Sequence, residues 1–160
     1  MTDTPAGSDE SRHWATVARA IIDEGDYMTL ATADEAGRPW ASPVWYAAAG
    51  YDELLWLSRP EARHSRNLAV RRELGIVIFD SSAAIGLGQG AYIEGVGEQV
   101  PESELERCVD IYSRRSQARG GVALPIADVR DPAPHRLYRA LASRHSTNGD
   151  RDERVPVTLT

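Results

Sequence analysis

The feature that most limits what this chain can become is a series of short strand-like segments between residues 27 and 100. Residues 27–32, 40–47, 54–58, 75–80 and 91–100 are rich in apolar, aromatic or β-branched side chains, and each is too short for a stable helix. Asp34-Glu35-Ala36-Gly37 and Ala49-Gly50-Tyr51-Asp52 supply turn chemistry of hairpin length between them. Pro43 offers no ladder donor, so its segment needs an open edge or a bulge there. Residues 54–58 and 75–80 are almost wholly apolar and are expected to be buried on both faces. Gly95 and Gly97 interrupt the fifth segment and imply a bulge or a close backbone approach. Residues 81–90 form a loop of Ser, Ala and Gly.

Two stretches change the period. Trp14, Val17, Ala18, Ile21 and Ile22 share one helical face and predict a helix over 9–24. Ser8 or Asp9 would cap it, and Gly25 stands where a C′ glycine belongs. Leu105, Cys108, Val109 and Tyr112 predict a second helix over 102–119, with Ser103 and Glu106 as a capping box and Gly120-Gly121 at its end. After a loop over 122–135, residues 137–145 and 155–159 supply one or two last strands. The expected fold is mainly β with flanking helices: a six- to seven-stranded antiparallel barrel. A chain of 160 residues suits one domain, placed at 9–160 after a disordered segment at 1–8.

Composition removes several function classes. The net charge of −6 argues against non-specific binding to nucleic acid or anionic membranes. One cysteine, Cys108, cannot form an internal disulfide framework or a cysteine-rich zinc site. No apolar run reaches the roughly 18 residues of a membrane span. The polar, acidic N-terminus is not a secretory signal, which makes the cytoplasm the expected location. No nucleophile elbow, zinc-protease helix or phosphate-binding P-loop occurs. The four histidines, His13, His64, His135 and His145, are too scattered to suggest a metal site.

Three places remain where chemistry is concentrated. All 18 strong cations are arginines, and Arg59, Arg63, Arg66, Arg71 and Arg72 fall within fourteen residues against Glu61 alone. Ser58 and Glu61 fit a capping box with Pro60 in the first turn, so a strand end and a helix start are expected there. Free helix N–H groups and guanidinium forks together describe a phosphate site; a solvated basic helix is the plainer alternative. Arg71 and Arg72, beyond an apolar triplet, belong to the surface. Trp40, Trp45, Tyr46 and Trp56 offer a surface for a flat conjugated ligand, or else a core or interface cluster. Gly86-Leu87-Gly88-Gln89-Gly90 lacks dinucleotide-binding spacing and reads as a mobile or close-approach loop.

The run from Tyr27-Met28-Thr29-Leu30-Ala31-Thr32, through Gly37-Arg38-Pro39 and Ser42-Pro43-Val44-Trp45-Tyr46, to Ala62-Arg63-His64-Ser65-Arg66-Asn67-Leu68 resembles the pyridoxamine 5′-phosphate oxidase-like family. Gly88-Gln89-Gly90-Ala91-Tyr92 and Arg136-Leu137-Tyr138-Arg139-Ala140 look like its later strands. The resemblance implies the FMN-binding split β-barrel, a homodimer, and flavin sites between the subunits. It implies flavin contacts from Ser42, Pro43, Val44 and Trp45, and then from Leu57 and Ser58. The basic pair on the FMN phosphate would be Arg63 and His64, with Arg66 supplying further charge, and Gln89 and Gly90 would reach the partner's flavin. Where relatives carry lysine, this chain carries His64, so phosphate affinity is expected to fall with rising pH. Relatives often have a tryptophan after the position of His145; here Ser146 follows, and the substrate residues of the oxidase itself are not recognisable.

The expectation is therefore an FMN-dependent oxidoreductase acting on a small organic molecule, with no catalytic side chain assigned. An F420-dependent reductase of the same superfamily is one alternative. A flavin- or haem-binding storage protein without turnover is another.

Overall fold

The computed structural model describes residues 6–151 and 153–159, with side chains from residue 9 onward. Helix α1 spans Ala6–Glu24, β1 Tyr27–Ala33, β2 Pro39–Trp45, β3 Ala47–Ala49 and β4 Glu53–Ser58. Helix α2 spans Arg63–Val70, β5 Glu73–Phe79, β6 Gly90–Gln99 and α3 Glu102–Ala118. A 3-10 turn at Ile126–Val129 precedes β7 Arg136–Asn148 and β8 Arg154–Val157. Residues 1–5, part of the segment expected to be disordered, lie outside the described residues.

All strands belong to one antiparallel sheet in the order β2-β1-β5-β6-β7-β4-β3, with β8 added to β7. The segment expected as one strand over 40–47 is two. It pairs with β1 as far as Trp45, passes through Tyr46, and then pairs with β4 from Ala47. One continuous segment thus supplies both ends of the sheet. The sheet curls on itself into a split barrel, while β2 and β4 form no ladder with each other. Pro43 meets its expected condition: β2 is an edge strand, paired only to β1.

The barrel interior holds Met28, Leu30, Leu54, Trp56, Ile76, Ile78, Ile93 and Tyr138. Into this cluster α1 places Trp14, Ala18 and Ile22, the face its periodicity announced. Leu55, Leu57, Ala47 and Leu137 face the other way, onto Leu105, Cys108 and Val109 of α3. Strand β4 therefore lies between two apolar layers, as its sequence required.

Polar contacts fix the helices to this frame. On β4, Glu53 is buried and accepts from Arg107 at 2.8 and 3.0 Å and from Arg139 at 3.1 Å. Burial alone would raise the Glu53 carboxyl, but these bonds outweigh it and hold the group below its ordinary range. Arg115 of α3 and Arg119 at its C-cap donate to the carbonyls of Asp23, Glu24 and Gly25, satisfying the C-terminal end of α1.

Several local expectations need correction. Helix α1 starts at Ala6, so Ser8 and Asp9 lie within it rather than at its cap. Helix α3 has Pro101 as N-cap, which places Ser103 inside the helix and leaves no capping box. Gly25 follows α1 but is not among the glycines with positive φ. Its reason is space: a Cβ there would lie 2.7 Å from both Ile78 Cγ2 and the Tyr46 hydroxyl. In β6, the register shifts between Glu94 and Gly95, and a Cβ on Gly95 would strike the backbone of Leu141. Both halves of that expectation hold.

Gly25→Ala is expected to lower unfolding stability by about 1–3 kcal/mol, the usual cost of overpacking a filled site. Urea unfolding measures this, and an unchanged midpoint would contradict the packing account of Gly25.

Candidate functional site

Helix α2 begins four residues later than the capping-box reading required for its first turn. Its N-cap is Ala62, with no side-chain cap. The reason lies in Ser58, whose hydroxyl is 2.6 Å from His64 Nε2 and is not free to cap. The other ring nitrogen, Nδ1, is 3.1 Å from the Ser42 hydroxyl. One imidazole therefore links β2 to β4 across the gap where the sheet has no ladder. One turn later, Asn67 Nδ2 donates to Thr32 Oγ1 at 3.0 Å and fixes α2 on β1.

This link has a definite proton inventory. Burial holds the His64 pKa below the ordinary value of 6.5, so the ring is neutral at pH 7. A neutral imidazole brings one N–H, and the two serines bring one O–H each. Two hydrogen bonds consume two of these protons. One serine hydroxyl keeps a proton that it can donate elsewhere.

Donors surround this point. The uncapped start of α2 leaves the N–H groups of Arg63, His64 and Ser65 without helix partners. The Arg63 guanidinium lies 4.4 Å over the Trp40 ring, held there by a cation–π contact. Neither Arg59 nor Arg63 meets a carboxylate among the described residues. An open groove of about 480 Å³ runs beside the link, lined by Leu57, Ser58, Arg59, Glu61, Ala62 and His135. Such a set suits a group that only accepts hydrogen bonds and carries negative charge, with Glu61 as the one opposing charge.

The other expected site residues are distributed differently. Pro43 is exposed on β2, and Val44 packs against the barrel core. Trp45 turns to α3, where its ring meets Tyr112 edge-on at 5.0 Å, and Leu57 joins the same layer. Arg66 faces a separate groove against β6. Gln89 is exposed and lines a groove with Gly25 and Phe79, and Gly90 starts β6 opposite Phe79. Within one chain, then, Ser42, Ser58 and His64 converge with Arg63 nearby, and Gln89 and Gly90 do not join them.

Of the two readings of the aromatic residues, the core cluster holds for Tyr46, Trp56 and Trp45, and the ligand surface does not. Trp56 is fully buried and stacks on Tyr138 at 5.8 Å, while Tyr46 is buried and donates to the Ile22 carbonyl at 2.6 Å. Trp40 alone of the four is exposed. Sequence reasoning had no signal for Trp40 as the seat of Arg63, because that contact joins an edge strand to a helix distant in sequence.

Among the described residues, no group of three or more His, Cys, Asp and Glu side chains is placed to hold a metal ion. No helix there is long and apolar enough to cross a membrane.

Among the described residues, a curled antiparallel sheet, left open between β2 and β4 and flanked by three α-helices, defines a split β-barrel protein. The family model for pyridoxamine 5′-phosphate oxidase matches residues 16–147, and the chain belongs to that family. No curated protein matches it. Among solved structures, it is similar to a haem-binding protein from Mycobacterium smegmatis, with 23% identity and a TM-score of 0.71. That match covers 90% of this chain but only 57% of the other, so this chain spans little more than half of that relative. HutZ, a haem storage protein from Vibrio cholerae, matches with 22% identity and a TM-score of 0.64, over 80% of this chain and 89% of HutZ. A 5-nitroimidazole resistance protein from Bacteroides thetaiotaomicron matches with 16% identity and a TM-score of 0.68, over 82% and 81%. At these identities the likeness is one of fold.

The buried, neutral state of His64 sets a sign for pH dependence. Below 6.5 the unfolded chain takes up a proton that the native ring resists, so stability falls as pH falls through this window. His64→Gln keeps hydrogen-bonding groups but does not titrate. It is expected to lose less unfolding free energy than the native protein between about pH 7 and about pH 5. Equal losses in chemical denaturation would show that His64 titrates as an ordinary surface ring.

Proposed function

We propose that the protein is a homodimeric flavin-binding oxidoreductase that holds the FMN phosphate at the start of α2. The observation that carries this reading is the Ser42–His64–Ser58 link beside an uncapped helix start. Membership of the family supports it. In this reading the spare serine proton, the α2 N–H groups and the Arg63 fork bind the phosphate, with Arg59 adding charge. A bound flavin supplies the two-electron redox chemistry, and the protein supplies position and electrostatics. The negative phosphate favours protonation of His64, so affinity falls as pH rises.

Dimerisation has its own support. Tyr27, Ala31, Ala41, Pro43 and Phe79 lie on one outward face of β1, β2 and β5, and all are exposed. Such a face of small and aromatic residues suits a second copy. The partner's Gln89 and Gly90, remote from the link within one chain, then become able to reach the flavin. F420 carries a phosphate as well, and these donors serve it equally.

A specific observation favours haem as a second reading. A groove of about 860 Å³ is lined by Tyr92, Arg144, His145, Arg154 and Pro156 among others. His145 Nε2 is 2.8 Å from the Tyr51 carbonyl, a contact that leaves Nδ1 as the nitrogen able to bind iron. His64 has no such nitrogen to spare.

Absorption spectroscopy during separate titrations with FMN, F420 and haemin distinguishes these readings. FMN binding is expected, and Arg63→Ala should weaken it by about 1.5–3 kcal/mol, the worth of a charge-assisted hydrogen bond. Unchanged affinity in that variant would remove Arg63 from the site. A Soret band that depends on His145, with no flavin binding, would replace the proposal with the haem reading.

A further inference from the structure

On its β6 side, α2 borders a second groove of about 410 Å³, lined by Ser65, Arg66, Arg72, Glu98, Gln99 and Tyr138 among others. We propose that this groove binds a compact oxyanion, at a site separate from the Ser42–His64–Ser58 link and independent of the flavin reading.

Two groups here are donors without acceptors among the described residues. Ser65 is buried, and its hydroxyl has no hydrogen-bond partner among the described residues. Tyr138 also lines the groove, with its ring stacked on Trp56. Arg66 is exposed at the rim and meets no carboxylate among the described residues. A hydroxyl left unpaired in a buried position carries a desolvation cost that an arriving acceptor removes.

The charges agree with this assignment. Glu98 is the one carboxylate lining the groove, and both of its oxygens are engaged. Oε2 accepts from Arg72, and Oε1 accepts from Arg139 at 2.7 and 2.9 Å. The Arg72–Glu98 pair is locally neutral and holds Arg72 in position, which leaves Arg66 as the uncompensated cation. Ser65 and Arg66 are adjacent in α2, and Gln99 lies opposite Tyr138 in the β6–β7 ladder. The donor set is thus built on a helix and a sheet, not on a loop. Arginine and hydroxyl donors match phosphate or carboxylate, which accept at every oxygen. The groove admits more than the ion alone, so a small organic molecule bearing such a group is equally within its chemistry.

Arg63 and Arg66 separate this site from the one at the start of α2. Arg63 is committed to Trp40 on β2, whereas Arg66 faces β6. The test titrates the full-length protein with inorganic phosphate by calorimetry, against sodium chloride at matched ionic strength. Arg66→Ala is expected to weaken phosphate binding about tenfold or more, as the loss of a charge-assisted bond implies. Arg63→Ala should remove only phosphate bound at the start of α2 and leave the Arg66-dependent component unchanged. Ser65→Ala should weaken it less, and Arg66→Lys should restore part of it, since a point charge replaces a fork. Circular dichroism confirms that each variant is folded, and the exposed position of Arg66 makes the Lys variant a safe control. Phosphate binding lost in Arg63→Ala and kept in Arg66→Ala would assign the ion to the helix start and overturn the proposal. Equal binding in all variants, or none in the native protein, would overturn it as well. Failure of FMN to bind, with the Arg66-dependent phosphate site intact, would refute the flavin reading alone.

Discussion

The architecture depends on one constraint: at Tyr46 the chain must leave one edge of the sheet and join the other. Tyr46 is fully buried, its hydroxyl donates to the Ile22 carbonyl at 2.6 Å, and its N–H donates to the Asp26 carbonyl at 3.3 Å. Both partners lie at the end of α1 or just beyond it. Burial raises the phenol well above its ordinary pKa, so it remains a donor across the whole working pH range. The crossover therefore ties α1, β2 and β3 together at a single side chain. Gly25 follows from the same constraint, because the space its side chain would occupy is taken by that hydroxyl.

A barrel closed in this way remains split. Strands β2 and β4 approach each other without exchanging backbone hydrogen bonds, which leaves polar edges that need other partners. Helix α2 covers this seam, and His64 bridges it with side-chain bonds where backbone bonds are missing. The same arrangement produces binding capacity. Side chains spanning a seam offer spare donors, whereas a closed ladder uses its own. The opposite side of β4 shows the contrast: Glu53, Arg107 and Arg139 satisfy one another, and that cluster has little left to offer a ligand.

How much of this was legible in the sequence follows from the range of each interaction. Strand positions, the two long helices, the edge role of Pro43 and the bulge in β6 were readable, because local periodicity and backbone chemistry dictate them. The division of residues 40–47 at Tyr46 was not, since nothing local distinguishes a strand that continues from one that changes edges. Ser58 illustrates the difficulty. Its spacing to Glu61 fits a helix cap, but His64 competes for the hydroxyl and wins, displacing the helix start to Arg63. The aromatic residues read as a core cluster, but which layer each joins was not legible. Alternation sends Trp45 to α3 and Val44 to the barrel, so neighbours in sequence face opposite layers.

The five arginines of residues 59–72 were visible as a cluster, but their division of labour was not. In the fold they serve different purposes. Arg63 rests on Trp40, Arg72 pairs with Glu98, and Arg66 meets no carboxylate among the described residues. Net charge over a segment says how strongly it attracts anions from a distance. Which anion stays, and where, depends on the guanidinium groups that carboxylates leave unpaired and on the hydroxyls buried beside them. By that criterion α2 is less a uniformly basic helix than a divider between two donor sets, one on the barrel seam and one against β6.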